Sequence, residues 1–507
     1  MQQESPIADI RASLRRRGIC VIIPTYNNAG TISDVVRRSL ERCADVIVVC
    51  DGCTDGSVSL LENSCPEADL VVLPQNMGKG KALKAGFLHA LERGFAYAIT
   101  LDGDGQHYPE DIALMLEANI QNPGALIVGA RKGLENVSRS KSSSFANKFS
   151  NFWFALQTGC PLPDTQTGYR LYPLHKLHGL KLLTSRYEAE LELMVFASWA
   201  GVKLVSCEVN VFYPEPEQRV SHFRPGRDFA RISMLNAALC ALALVYGYPR
   251  KALRALVSLC RTIYSLLFFV FFTLCVMTPL VHLYLAIGEI TEKKKYNLHR
   301  ILNFMARFLL FKHKIPGTRY SESNPFGEDF TKPSVIICNH QSHLDLVPLL
   351  ARAPKVIVLT ADWVWKNPMY RFTIRNAEFL PASAGMDVIM PQLRSLVERG
   401  YSIAIYPEGT RSTDCNKMGR FRQGAFHVAQ TLGVDIIPMV VYGTGHVLPK
   451  HGRMMNKWPI HVEIDGRISP ERMQAEFGQT PREQAMAMRK YYKRRYSEIS
   501  DRIEQNV

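Results

Sequence analysis

Paired cysteine spacing is almost absent from this sequence. Its 12 cysteines are scattered, and only Cys50-x-x-Cys53 has the separation of a redox pair or metal half-site. That scatter excludes a disulfide-stapled secreted scaffold. Zinc-finger spacing, RNA-binding signatures and a recognition helix are also missing, so no nucleic-acid partner is expected despite the positive charge. The opening stretch, Met1 to Arg17, is polar and lacks a secretory pattern, which points to a reducing, cytoplasmic setting. There is no internal repeat. Acidic residues are the scarcer sign, 46 against 61 Lys and Arg, for a net charge of +15. Long apolar runs are scarce as well. Only Thr262 to Ile287 reaches membrane-spanning length, and it contains Pro279 and His282.

What is present fits two or three globular domains with some membrane character: 47% of residues are hydrophobic and 21% charged. Basic residues gather beside the apolar segments, at Arg224, Arg227 and Arg231, at Arg250, Lys251, Arg254 and Arg261, and at Lys293 to Lys295. That placement suits an anionic membrane leaflet. Buried-strand runs at Ile19 to Ile23, Val46 to Cys50, Ala68 to Leu73 and Tyr97 to Leu101 alternate with helical patterns at Thr31 to Arg42 and Lys81 to Arg93. Such alternation predicts an α/β domain with a largely parallel sheet and its ligands at the strands' C-terminal ends. The pattern resumes after the apolar region, with strands expected at Val335 to Cys338, Val356 to Thr360, Ser402 to Tyr406, Ile436 to Tyr442 and Ile460 to Ile464.

Four polar strings follow strands of the first domain in order. They are Pro24-Thr25-Tyr26-Asn27-Asn28, Asp51-Gly52-Cys53-Thr54-Asp55-Gly56-Ser57, Asn76-Met77-Gly78-Lys79-Gly80 and Asp102-Gly103-Asp104-Gly105-Gln106-His107. Two aspartates around one glycine form a hard oxygen site suited to Mg²⁺ or Mn²⁺ bridging a diphosphate. Asp55 or Gln106 alone reads equally well as a capped turn. Together the strings resemble family 2 glycosyltransferases, most nearly the polyprenyl-phosphate (dolichyl-phosphate) mannosyltransferase-like branch with a GT-A fold. The resemblance implies a nucleotide-sugar site of Pro24, Tyr26, Asn27, Asp51, Asp55, Lys79 and Asp102, with Asp102 and Asp104 on the metal. It also implies an acceptor side: Gln166 and Arg170 in the string Asp164 to Arg170, and Arg219, Ser221 and Arg224, with His222 between them, in a basic loop. Tyr187-Glu188-Ala189-Glu190-Leu191-Glu192 resembles the branch's acidic helix. Glu190 and Glu192 are its candidate bases for a hydroxyl acceptor, whereas an anionic acceptor needs none. A solvated helix face is the plainer reading of the same glutamates.

A second chemistry occupies the last third. In Asn339-His340-Gln341-Ser342-His343-Leu344-Asp345, the aspartate can fix the tautomer of His340 and support its charge while His340 takes a proton from an attacking hydroxyl. Tyr406-Pro407-Glu408-Gly409-Thr410-Arg411-Ser412 offers a turn and an arginine for an anionic group. The two strings resemble the glycerolipid (lysophosphatidic-acid type) acyltransferases, which need no serine or cysteine nucleophile. By that likeness His340 and Asp345 are catalytic, and Glu408, Gly409, Thr410 and Arg411 bind the acceptor. Pro438 matches the family's last block, and His343 is read as structural. The family's phenylalanine with a following arginine does not recur: Glu378-Phe379-Leu380-Pro381-Ala382-Ser383 has no arginine after it, and Arg375 precedes it.

The expected architecture is a GT-A glycosyltransferase domain at 1–231, a membrane-associated helical hairpin at 232–295 breaking at Pro279, and an α/β acyltransferase domain at 296–507. Its partners are a nucleotide-sugar, a lipid or polyprenyl-phosphate acceptor, acyl-CoA or acyl carrier protein, and a membrane. Basic residues on both flanks of the apolar segment disfavour a single span, so the cytoplasmic face of a bacterial inner membrane is expected. The product is read as an acylated glycolipid. An aryl-polyene-type pigment, or two transferases acting independently, are the alternatives.

Overall fold

The computed structural model describes residues 6–132, 141–180, 182, 184–186, 188–212, 225–313, 318–367, 371–452 and 454–504. The chain forms two compact units, Met1–Arg254 with Asp501–Val507, and Ala255–Ser500.

In the first unit the strands are β1 (Ile19–Thr25), β2 (Val46–Asp51), β3 (Asp69–Leu73), β4 (Tyr97–Thr100), β5 (Leu126–Arg131), β6 (Arg170–Pro173) and β7 (Leu204–Val209). They form one sheet in the order β3-β2-β1-β4-β6-β5-β7. Pairing is parallel except where β6 runs antiparallel to β4 and β5. Helices cover both faces, so β1 and β2 are buried at every position and read as continuous apolar runs. Successive residues nonetheless feed different cores: Cys20 and Ile22 enter one, and Ile19, Val21 and Ile23 the other.

In the second unit the strands are β8 (Tyr320–Ser323), β9 (Ser334–Cys338), β10 (Val356–Thr360), β11 (Leu380–Pro381), β12 (Ser402–Ile405), β13 (Asp435–Tyr442) and β14 (Ile460–Ile464). Their order is β11-β10-β12-β9-β13-β14-β8, parallel but for the β13–β14 pair. The expected strands fall within one or two residues of those observed, because five-residue β-branched runs bounded by Asp, Asn or Pro leave little freedom.

Among the described residues one helix, Ala230–Ala286, of 57 residues, is long and apolar enough to cross a membrane. Few of its residues are buried, and Leu256, Leu266, Leu267, Phe271, Leu280 and Leu283 are among its exposed side chains. Asn236, a polar interruption in the sequence, is buried and accepts a 2.9 Å hydrogen bond from Gln157 Nε2.

The break expected at Pro279 is corrected. The helix continues through it, because Pro279 follows a π-helical turn, Phe272–Met277. The wider turn relieves the clash between a proline ring and the carbonyl one turn back. Thr278 Oγ1 also donates to the Thr273 carbonyl at 2.8 Å. The chain reverses farther on, past Gly288 (φ +75°), into the helix Glu292–Arg307 capped by Thr291. That helix and the turn Phe308–His313 run back along the first. Asn297 Nδ2 donates to Tyr284 Oη at 3.1 Å, and Phe268 stacks on His313 with centroids 3.6 Å apart. Within 232–295 the expected hairpin is therefore replaced by one long helix, and the chain reverses only at 287–291.

Candidate functional site

Three elements of the first unit converge at the C-terminal end of β4. Asp102 follows that strand, Lys79 opens the helix Lys79–Glu92, and Glu190 lies in the first turn of the helix Glu188–Ala200. Lys79 Nζ stands 2.7 Å from Asp102 Oδ1 and 2.9 Å from Glu190 Oε2. Gly168 permits this packing: a Cβ there would lie 2.5 Å from Asp102 Oδ2 and 2.9 Å from Lys79 Nζ. Burial opposes the Lys79 ammonium, but the charges of Asp102 and Glu190 outweigh it and hold its pKa above the ordinary lysine value. Burial likewise opposes the Asp102 carboxylate, yet Lys79 and His107 keep it below the usual carboxylate range.

Asp104 lacks such compensation. Burial, then the charge of Asp102, push it up to about 6. Two close carboxylates with one left uncompensated fit a hard divalent cation, and Asp102 and Asp104 are the residues that would hold it. Among the described residues no third His, Cys, Asp or Glu joins them in a metal-binding group. Such a donor set leaves room for diphosphate oxygens and water, as Mg²⁺ sites commonly do.

The nucleotide-side residues are knitted into one another. Asp51 accepts the backbone N–H groups of Met77 and Gly78, each at 2.8 Å. Asp55 accepts from Ala29 N at 2.9 Å and from the hydroxyl of Ser57 at 2.6 Å. Asn27, in left-handed backbone at φ +53°, accepts from Thr54 N at 2.8 Å. Pro24 is buried within β1, and Tyr26 follows it half-buried.

The acceptor-side residues are divided. Arg170 is buried under Glu190, donating to its backbone carbonyl at 3.0 Å and to Thr165 O at 3.0 Å. Gln166 Nε2 donates to Ala146 O at 3.2 Å. Arg219, Ser221, His222 and Arg224, with Tyr187, lie outside the described residues. The two glutamates also separate, because neighbours two apart on a helix point about 200° from each other. Glu190 meets Lys79, whereas Glu192 is buried and accepts from Thr184 N at 2.9 Å and Thr184 Oγ1 at 2.6 Å.

In the second unit the loop after β9 carries the histidine pair. His340 Nδ1 lies 2.9 Å from Asp345 Oδ2, and Asp345 is fully buried. The same oxygen accepts the N–H groups of Gln341 at 2.7 Å and Ser342 at 2.8 Å, and Thr444 Oγ1 donates to the other oxygen. Asp345 is thus fixed from all sides and fixes the imidazole in turn. The His340 ring stacks on Tyr406, with centroids 4.3 Å apart.

Glu408 faces the protein. Its oxygens accept His340 N and Gly419 N, each at 2.9 Å, and burial raises its pKa. It joins the two motifs. Gly409, at φ +69°, lets the Arg422 guanidinium approach: a Cβ there would be 3.0 Å from Arg422 Cζ. Lys450 Nζ donates to Thr410 Oγ1 at 3.3 Å and to Arg411 O at 2.8 Å. Arg422, Lys450 and Thr444 were not anticipated from the sequence. Only the pair Arg420 and Arg422, just beyond the turn, signalled a wider basic cluster. His343 packs edge-on against Trp363, as a structural residue would, and burial lowers its pKa. In the unmatched block, Glu378 pairs with Lys295 and Arg399, and Arg375 lies over Trp365.

Residues 20–175 match the family described as Glycosyl transferase family 2, and residues 314–442 match the family described as Acyltransferase. The chain is 27% identical over 211 residues to Glycosyltransferase AglJ of Haloferax volcanii, covering 41% of this chain and 68% of that protein. It is 31% identical to the undecaprenyl-phosphate mannosyltransferase of Micrococcus luteus, covering 39% of this chain and 84% of that protein. Toward its other end it is 24% identical to the chloroplastic 1-acyl-sn-glycerol-3-phosphate acyltransferase BAT2 of Brassica napus, over 47% of this chain. The chain spans only 58% of that plant protein's length.

Proposed function

The chain belongs to the family 2 glycosyltransferases and carries an acyltransferase domain fused behind that module, and from this premise we propose that it builds an acylated glycolipid. The first domain, 1–231, transfers a sugar from a nucleotide-sugar to a lipid-like acceptor. The last, 296–507, transfers an acyl group from acyl-CoA or acyl carrier protein to a hydroxyl. The helical region between them, 232–295, lies on the cytoplasmic leaflet of a bacterial inner membrane. The observation that carries the reading is that one chain holds both an assembled Lys79–Asp102–Glu190 cluster and an aligned His340–Asp345 pair.

In sugar transfer, a divalent cation at Asp102 and Asp104 would neutralise charge on the departing diphosphate. Lys79 holds Asp102 and Glu190 in place. Glu190 takes the acceptor's proton as the acceptor oxygen bonds to the anomeric carbon and the bond to the nucleoside diphosphate breaks. In acyl transfer, Asp345 holds the Nδ1 proton, so Nε2 receives the proton of the attacking hydroxyl. The oxygen bonds to the thioester carbonyl carbon, the C–S bond breaks, and the thiolate takes that proton from His340. Arg411, Arg422 and Lys450 orient an anionic group of the acceptor or the thioester carrier.

Fusion raises the effective concentration of one product at the other site. Mass spectrometry of lipids from cells expressing wild type, Asp104→Ala and His340→Ala tests the series. The expected result is loss of a glycolipid in the first variant and accumulation of its unacylated form in the second. Depletion of unrelated lipids by the two variants would end the series model.

A further inference from the structure

The cluster at Glu190 has a second side. An apolar groove of about 100 Å³ runs between the helix Lys79–Glu92, the short helix Leu174–Leu177 and the helix Glu188–Ala200. Its walls are Leu83, Phe87, Leu91, Leu177 and Leu180, with Leu88, 44% exposed, among the lining residues. Glu190 also lines it. One carboxylate oxygen of Glu190 is taken by Lys79. The other, Oε1, is buried, accepts no hydrogen bond from any described residue, and stands 3.8 Å from Arg170. A buried acceptor oxygen without a donor is costly, and it marks a place where a ligand's donor would be stabilised.

We infer that this groove holds the alkyl chain of the sugar acceptor, and that the acceptor is a lipid alcohol whose hydroxyl donates to Glu190 Oε1. The inference rests on the sugar-transfer reading above and adds the acceptor's chemical class and seat. Two features favour an alcohol over a lipid phosphate. The orphan oxygen needs a proton donor, which a fully ionised phosphate lacks. The positive charges of Lys79 and Arg170 are already matched by Asp102 and Glu190, so among the described residues of this cluster no cation is left for an added anion, and the one lysine on the groove wall, Lys84, is exposed to solvent. An apolar seat continuous with the sugar-transfer cluster places chain and hydroxyl together, which is how binding energy positions a reacting group.

Photolabelling of the full chain with a diazirine-bearing dodecanol tests this without any sugar donor. Its outcome is therefore independent of whether the domain transfers sugar, which the lipid analysis decides separately. Label is expected on the peptides carrying Phe87 to Leu91 and Leu177 to Leu180. Leu88→Lys and, as a second variant, Leu180→Lys should each reduce it about tenfold, since a charge at an apolar wall disfavours an alkyl chain. Unlabelled dodecanol should displace the probe at least fivefold more effectively than dodecyl phosphate. Label confined to the helix Ala230–Ala286, or unaffected by both variants, would overturn the groove assignment. Better displacement by the phosphate would overturn the alcohol assignment.

Discussion

The two candidate sites are put together in opposite ways. His340 and Asp345 sit five residues apart on one loop, and the loop's own backbone N–H groups hold the aspartate. Lys79, Asp102 and Glu190 come from three elements far apart in sequence, and only the sheet brings them together. A local site tolerates changes elsewhere in its domain so long as the loop keeps its shape. An assembled site of opposite charges depends on every member, since removing one leaves an uncompensated buried charge.

The largest expected effect is at the local site. His340→Ala should cut acyl transfer by about 10²–10⁴-fold, the usual value of a positioned base, while sugar release from the nucleotide donor continues unchanged. A parallel fall in both activities would break the picture of separate sites.

At the assembled site, Lys79→Met takes away the cation that Asp102 and Glu190 share and leaves only Arg170, 3.8 Å from Glu190. Destabilisation on the order of 3–5 kcal/mol and loss of sugar transfer should follow, with Glu190→Gln in the same chain restoring part of the stability. Thermal unfolding of the two single variants and the double variant measures the coupling. Strict additivity would show that the three residues do not act as one unit.

Acid should separate the regions as well. His299 in the second unit is buried between Phe379 and Tyr401, facing Glu378 and Arg399, and burial lowers its pKa to about 4 from an ordinary 6.5. Above pH 6.5 both folded and unfolded chains carry it neutral. As pH falls toward 4, the unfolded chain takes a proton that the folded chain refuses, so stability declines by roughly 3 kcal/mol. His299→Leu should flatten that limb of the unfolding-versus-pH profile. An unchanged limb would remove His299 from the account.

The smallest effect sharpens the comparison most. Glu192→Gln should cost about 1 kcal/mol through its bonds to Thr184 and leave sugar transfer within about threefold. Glu190→Gln should slow the same reaction about a hundredfold. Equal rates for the two variants would mean that Glu190 is not the base.

Legibility in the sequence followed the same division. The strand runs from Ile19 to Ile23 and from Val335 to Cys338 were readable because a sheet covered on both faces demands continuous apolar residues. The apolar segment was readable, but the hairpin expected within 232–295 is one long helix through Pro279. Pro279 signals a break only if the helix around it stays α-helical, and a π turn removes that condition. Glu190 and Glu192 could not be told apart without knowing which face of their helix meets Lys79. Thr444, Arg422 and Lys450 were missed because no local pattern links them to His340.

By itself the sequence determined the two α/β domains, the apolar segment between them and the His340–Asp345 pair, since each is written in residues close along the chain and fixed by short-range periodicity or spacing. Only the tertiary structure decided that Lys79 bridges Asp102 and Glu190, that Glu408 faces inward, that the chain reverses at Gly288, and that Glu190 lines an apolar groove. Those outcomes depend on which distant surfaces pack together and on where burial leaves a charge or a hydrogen bond unmatched, and neither is encoded in any one stretch of residues.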